Sequence, residues 1–233
     1  MKDYTEIYNE AASVFAQATG AKLTPELLFI DQFTDLKVIE DALKRNQVPI
    51  ADIDLAHFDG LQAEALFGEI GNVLAIRIDA EGSRQELIHA ILHELARQLL
   101  HERETVEFTE DDAFIAAGYE IWSEFAAEML ARAINVENIG VPMMLYELDP
   151  AKFLEEAQLR GFARYAVEVC SSFEGRTAKG WPDLAKEMQA QNLPMQKIVR
   201  TLFGRIKTGN WDIDEPWLGR LGADCYIEYG LKA

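Results

Sequence analysis

Hydrophobic residues recur at helical spacing in two stretches near the N-terminus, with a short apolar run between them. Residues 3 to 19 carry apolar side chains three and four positions apart and are followed by Gly20, so they predict a helix that ends there. Residues 35 to 45 predict a second helix. The run LLFIDQF between them predicts a short strand.

Residues 61 to 79 combine an ambiguous segment with a clearly alternating one. The segment LQAEALFGEI is compatible with a helix or a strand, whereas VLAIRID alternates as half-buried strands do. Gly71 and Asn72 lie between the two segments and predict a two-residue turn. We therefore predict a β-hairpin, followed by a loop from Asp79 to Gly82.

The pattern becomes helical after Ser83. Ser83 and Glu86 have the spacing of a capping box, which defines the start of a helix. At about 100° per residue, the polar side chains of this segment fall within one arc of roughly 140°. They are Glu86, His89, His93, Glu94, Arg97 and His101. Leucine and isoleucine fill the opposite side, so the segment predicts an amphipathic helix with a wide apolar face.

The rest of the chain predicts helices alone. Residues 109 to 134 predict a helix with Thr109 as its N-cap. Further helix starts are indicated where a proline falls in the expected first turn. The pairs concerned are Asp149-Pro150, Trp181-Pro182, Leu193-Pro194 and Glu215-Pro216.

Composition is typical of a soluble globular protein, with 49% hydrophobic and 27% charged residues among 233. The net charge of −18 repels nucleic acid phosphates and anionic membranes. We therefore expect no nucleic acid and no membrane partner, which leaves a protein or peptide partner to consider. The two distant cysteines, Cys170 and Cys225, predict buried free thiols in a reducing, cytoplasmic location. The acidic N-terminal sequence is unlike a signal peptide.

The polar face of the helix beginning at Ser83 holds three of the four histidines in the chain. An ordinary amphipathic helix turns such a face to solvent. The concentration of histidine on one helix, together with the wide apolar face that predicts burial, instead favours a polar face that lines a cleft.

His93 and Glu94 open an H-E-x-x-H motif, in which two histidines one turn apart bind Zn²⁺ and the glutamate activates the metal-bound water. Arg97 stands where the second histidine belongs. A third ligand would come from another element. The next predicted helix carries an acidic stripe at four-residue steps, which is either a solvated face or a source of that ligand. Its members are Glu120, Glu124 and Glu128.

The strand VLAIRID, the helix ELIHAILHELARQLLH and the helix GYEIWSEFAAEMLARAI, in this order, resemble the core of gluzincin-type metallopeptidases. The resemblance is to the ImmA/IrrE-type branch, whose members cleave repressor proteins. It covers roughly residues 70 to 135 and includes the phrase W-S-E-F-A-A-E. The resemblance implies a zincin-like core with His93 as the first zinc ligand, Glu94 as the general base and Glu124 as the third ligand. Glu120 is the next choice for that ligand.

Arg97 departs from the family pattern. An arginine side chain has only donors and stays protonated, so it cannot ligate a cation. Its guanidinium could pair with Glu94 or Glu124 and take the place of the lost ion. Alternatively, His89 and His93, also four residues apart, could bind zinc together with Glu124. An alanine follows His89, however, so the usual position of the general base is empty in that arrangement.

We therefore expect an α+β fold, with a zincin-like core and N-terminal helices over residues 1–148 and a mainly helical C-terminal extension over 149–233. The favoured function is a degenerate metallopeptidase homologue that binds no cofactor and is retained as a binding or regulatory protein. Two alternatives stay open: an active metal-dependent hydrolase that uses the His89–His93 pair, and a non-enzymatic helical interaction protein. A cleft that holds the motif side chains together would support the first two functions over the third. The sequence predicts no particular oligomeric state.

Overall fold

The computed structural model describes seven stretches of the chain: 3–49, 58–103, 112–138, 159–174, 181–190, 196–208 and 213–229. Within them the protein has eight α-helices and one three-stranded β-sheet, so the predicted α+β class is confirmed. The chain divides into two compact units. Unit 1 comprises Met1–Arg103 and Leu130–Met143, and unit 2 comprises Glu104–Met129 and Met144–Ala233. The division at residue 148 into core and extension stays a prediction.

The helices and strands are numbered here in chain order. The boundary between the two units falls within α4. Those of unit 1 are α1 (Tyr4–Thr19), β1 (Glu26–Ile30), α2 (Leu36–Asn46), β2 (Ala63–Leu66), β3 (Val73–Arg77) and α3 (Arg84–Glu102). The helix α4 (Ala113–Asn138) contributes to both units. Those of unit 2 are α5 (Leu159–Glu174), α6 (Trp181–Ala190), α7 (Gln196–Thr208) and α8 (Glu215–Tyr229).

Side chains at the helix ends explain why the N-terminal helices begin and end as predicted. Gly20 follows α1 with a left-handed backbone, φ 73°, which glycine adopts without a steric penalty. The Asp35 carboxylate accepts a hydrogen bond from the first turn of α2. The Ser83 side chain accepts from the Glu86 amide while the Glu86 carboxylate accepts from the Ser83 amide, which confirms the predicted capping box.

The later helix starts are confirmed where they can be observed. Helices α6 and α8 begin at Trp181 and Glu215, each directly before its proline. At the start of α4 the Asp112 carboxylate accepts hydrogen bonds from two amides of the first turn. The other predicted starts lie outside the described residues: Thr109, Asp149-Pro150 and Leu193-Pro194.

The sheet has the strand order β1-β3-β2, with β1 parallel and β2 antiparallel to β3. One face packs against α2 through an apolar cluster formed by Leu28, Ile30, Ile39, Ala42, Leu43, Phe58, Val73 and Ala75. The opposite face is also buried and carries Ala63, Ala65, Leu74 and Ile76. Helix α3 packs against the edge strand β2 and against α1.

The predicted hairpin is confirmed, but the predicted two-residue turn is wrong. Leu66 pairs with Val73, so six residues connect the strands instead of Gly71 and Asn72 alone. The connection docks on the end of α2, where a Cβ atom added at Gly68 would lie 2.2 Å from the Asn46 carbonyl oxygen. The extra length follows from this tertiary contact, which hairpin propensities do not include.

Unit 2 contains a helix pair with very close backbones. A Cβ atom at Gly118 of α4 would lie 2.0 Å from the Leu218 carbonyl oxygen of α8. Near this contact the rings of Trp122 and Trp217 meet edge to face, with centroids 5.3 Å apart. Cys170 and Cys225 are buried thiols outside any disulfide, as predicted. In the described parts of the chain, no helix is both long and apolar enough to cross a lipid bilayer.

Candidate functional site

Two features of unit 1 position the motif helix α3. At its start, the Arg84 guanidinium pairs with the Glu10 carboxylate of α1, and this hydrogen bond lowers the pKa of Glu10 from its ordinary value. Further along, the small residues Ala63 and Ala65 let α3 approach the sheet at β2, and both are buried. The polar face of α3 therefore begins beside a strand edge.

Glu94 is buried at this strand edge, with only 7% of its surface exposed. The Arg77 amide donates to the Gln62 carbonyl, so the alternate residues Ala63 and Ala65 turn their backbone groups away from β3. The Ala65 amide donates to Glu94 Oε2 at 2.8 Å. A buried carboxylate on α3 thus satisfies an edge donor of β2, which supports the prediction that the polar face of α3 lines a partly closed site.

Arg97 pairs with Glu94, one of the two carboxylates that the sequence suggested. Arg97 Nη1 lies 3.1 Å from Glu94 Oε2, and the two side chains are only 18% and 9% exposed. Glu94 Oε2 thus faces two donors, the Ala65 amide and the Arg97 guanidinium. Both contacts fix the orientation of the carboxylate.

An aromatic side chain that sequence reasoning missed lies next to this pair. The Arg97 guanidinium carbon is 5.7 Å from the centroid of the Phe67 ring. The imidazole of His101, one turn further along α3, stacks on the same ring with centroids 4.4 Å apart. Phe67 belongs to the six-residue connection after β2. Its position could be found only from the true length of that connection.

The other two histidines of α3 make different contacts. His93 is 12% exposed, and its Nε2 lies 3.8 Å from Glu94 Oε1. His89 Nδ1 lies 3.5 Å from the Asn135 side-chain nitrogen, and Asn135 is 2% exposed in the part of α4 that belongs to unit 1. His89 therefore contributes to packing between α3 and the last turns of α4.

Burial distinguishes the three glutamates of the acidic stripe on α4. Glu124 is buried, Glu128 is half-buried and Glu120 is exposed. In unit 2 the Arg164 guanidinium, on α5, approaches the Glu124 carboxylate to 3.7 Å, and the Arg164 side chain is 53% exposed. Of the three candidates Glu124 is the most buried, a difference that sequence spacing alone could not show.

The donor set at the H-E-x-x-R position does not fit a zinc ion. Among the residues that the structure describes, no group of three or more His, Cys, Asp or Glu side chains is arranged to hold a metal. A guanidinium occupies the position of the second ligand, and its charge lies 3.1 Å from the carboxylate that would serve as general base. Chemically, the arrangement holds a buried carboxylate in a fixed place and neutralises it with an internal cation.

Comparison with protein-family models, with curated protein sequences and with solved structures finds no match to this chain.

Proposed function

We propose that this protein is a degenerate zincin-like homologue, similar to the ImmA/IrrE-type gluzincins, that lacks zinc peptidase activity and serves as a binding or regulatory protein. The order of the elements supports the proposal: an antiparallel edge strand, a second strand, the motif helix α3 and then α4. The capping box and the buried Glu94 at the edge of β2 agree with it as well.

The observation that carries the proposal is the partly buried ion pair between Arg97 and Glu94. A general base must offer a lone pair to a water molecule beside the metal. Here one oxygen of Glu94, Oε2, faces the Ala65 amide and the Arg97 guanidinium, and the other, Oε1, lies 3.8 Å from His93 Nε2. The positive charge of Arg97 also opposes Zn²⁺ at the same place. Arg97 thus supplies internally the charge that a metal ion supplies in a peptidase.

Because the site offers neither a zinc ion nor a general base, the role that we propose for it is binding. The surface beside the ion pair includes the partly exposed Phe67 and the exposed His101, which offer an aromatic ring and an imidazole to a ligand. The net charge of −18 disfavours nucleic acid as that ligand. A protein or peptide is therefore the proposed class of partner.

Zinc content tests the proposal directly. Wild type, Arg97→His and Arg97→Gln would be purified without chelator and without a metal-loading tag, and their zinc measured by mass spectrometry. We expect sub-stoichiometric zinc in wild type and Arg97→Gln, and zinc binding in Arg97→His, which restores the H-E-x-x-H motif. Arg97→Gln is the matched control because it removes the guanidinium without adding an imidazole ligand.

Two results would contradict the proposal. Should Arg97→His take up no more zinc than Arg97→Gln, either the zincin-like core or Glu124 as third ligand is mistaken. Stoichiometric zinc in wild type that disappears in His89→Ala would instead favour the hydrolase that uses His89, His93 and Glu124, and peptidase assays would then decide its activity.

A further inference from the structure

The strand β1 forms the other edge of the sheet, on the side away from β2. The Glu26 amide donates to the Asn72 carbonyl, and the Ile78 amide donates to the Ile30 carbonyl. Because alternate residues of a strand turn their backbone groups to opposite sides, Leu27 and Phe29 direct theirs away from β3. Two residues of β1 thus face outward along the edge.

Within the described ranges, the amides and carbonyls of Leu27 and Phe29 make no hydrogen bond, and both residues are only half-buried. The β2 edge differs, because there the Glu94 carboxylate accepts a hydrogen bond from the outward-facing Ala65 amide. Natural proteins often block such edges with proline, an inward charge or a bulge. The run ELLFI of β1 contains no proline, and its pairing with β3 is regular.

An exposed aromatic ring lies at the end of this open edge. Phe33 is 83% exposed and belongs to the turn that follows β1. The Asp31 amide donates to Thr34 Oγ1 at 2.8 Å, and the Phe33 amide donates to Asp31 Oδ1 at 2.9 Å. The neighbouring Gln32 amide donates to an Asp79 carboxylate oxygen at 2.9 Å. These bonds hold the backbone of the turn in one conformation, so less backbone entropy is lost when a partner covers the ring.

We propose that the β1 edge binds an extended, basic segment of a partner protein, which adds to the sheet as a fourth strand and covers Phe33. Alternating open amides and carbonyls are satisfied by another extended backbone, which is the chemistry of strand addition. The partner segment places an apolar side chain against Phe33. It carries lysine or arginine near Asp31 and Asp35, the carboxylates on either side of that ring in sequence.

Charge argues for a partner protein over a second copy of this chain. A symmetric pair of β1 strands would join two molecules that each carry a net charge of −18, including two sets of the same carboxylates. A basic segment removes that repulsion. The proposed surface is separate from the α3 site and lies on the opposite edge of the sheet, so it stands whether or not the proposed function holds.

Residue-resolved amide hydrogen exchange tests the proposal without altering the edge. The full-length, isotope-labelled protein would be titrated with the peptide acetyl-Lys-Val-Lys-Val-Lys-Val-amide and followed by NMR. We expect the Leu27 and Phe29 amides to exchange at least about tenfold more slowly when the peptide is bound. The Ala63 amide, which faces outward on the β2 edge, is the internal control and should not change.

Two matched controls separate strand addition from charge attraction. The same peptide methylated on two adjacent central nitrogens keeps its charge but loses one central donor on each side of the strand, and the methyl groups block close pairing on both sides, so it should give no protection. Phe33→Ser should weaken peptide binding about tenfold, as expected for the loss of an apolar contact of about 1.4 kcal/mol. Ile70→Ser, which removes a side chain that is 67% exposed elsewhere in unit 1, should leave binding unchanged.

The proposal is overturned if the peptide leaves Leu27 and Phe29 unprotected, if the methylated peptide protects them equally, or if protection appears only at Ala63. Protection that rises with protein concentration in the absence of peptide, together with a dimeric mass in sedimentation, would identify a second copy as the occupant and would equally reject a basic partner.

Discussion

Replacement of Arg97 by valine should destabilise the protein through Glu94. The substitution removes a guanidinium 3.1 Å from a carboxylate that is 9% exposed. It leaves that carboxylate without its counterion in a poorly solvated position. Loss of one partner from a fully buried ion pair costs about 3–5 kcal/mol, because the remaining charge has no counterion.

The structure lowers that estimate for two reasons. The Arg97 side chain is 18% exposed, so water can reach part of the pair. Glu94 also keeps the hydrogen bond from the Ala65 amide, which stabilises the charge that remains. We therefore expect a loss of about 2 kcal/mol. For a chain of this size, that corresponds to a decrease in Tm of about 4–8 °C.

Thermal melting followed by circular dichroism at neutral pH is the assay. The matched control is Arg45→Val, which removes the guanidinium of the more exposed pair with Glu26, whose side chains are 60% and 36% exposed. The control should shift the melting temperature far less, because exposed pairs contribute little. In the Arg97→Val background, Glu94→Gln should recover part of the loss, because it removes the uncompensated charge.

Equal shifts for Arg97→Val and Arg45→Val would refute this reasoning. So would a Glu94→Gln substitution that destabilises the wild type and the Arg97→Val variant by the same amount, because a double-mutant cycle without coupling means that the two side chains do not act as a pair.

Two further predictions concern other parts of the protein. The Arg77 hydrogen bond lowers the pKa of Asp79 below its ordinary 3.8, so the stabilising contribution of that carboxylate is present above pH 3.8 and is lost as the pH falls through the lower, folded pKa. Asp79→Asn should therefore cost about 1 kcal/mol in urea unfolding at pH 7 and nothing at the acid end, and a pH-independent effect would contradict this. Gly222→Ala should lower the free energy of unfolding by about 1–3 kcal/mol, because its Cβ atom would lie 2.0 Å from the Phe114 carbonyl oxygen. Gly204→Ala is the control and should stabilise α7 slightly, because the space at its Cβ is open. Equal effects of the two substitutions would count against the close helix contact.

The elements that the sequence predicted well are those fixed by local chemistry. Gly20 and the Ser83–Glu86 box end or begin helices through bonds to the backbone a few residues away, and such signals survive in any tertiary setting. The strand β3 was predicted in the right place but for the wrong reason: four successive residues, Val73 to Ile76, are buried, which is the pattern of a strand covered on both faces and not of a half-buried one. The hairpin turn failed because its length depends on α2.

The candidate site could be predicted only in part, because its decisive contacts join distant segments. The sequence suggested two acids for Arg97, and the choice of Glu94 follows from its approach to the Ala65 amide. A backbone donor on a strand edge has no side-chain signature, so nothing in the residue pattern indicated it. Phe67 was not predicted at the site because the connection between β2 and β3 was predicted to be two residues long, and Phe67 lies in the six-residue connection that the structure shows. The burial of Glu124 relative to Glu120 depends on packing in unit 2.

The interleaving of the two units within α4 restricts how the chain can be made and cut. Unit 1 needs Leu130–Met143, where Ala131 and Ile134 are buried, so the first 103 residues leave the ribosome without part of their own core. At about 5–20 residues per second, the missing segment follows several seconds later. Unit 2 in turn begins with Glu104–Met129 and resumes only after unit 1 is complete. A single cleavage therefore cannot release either unit intact, and fragments for separate expression would have to rejoin segments that are distant along the chain.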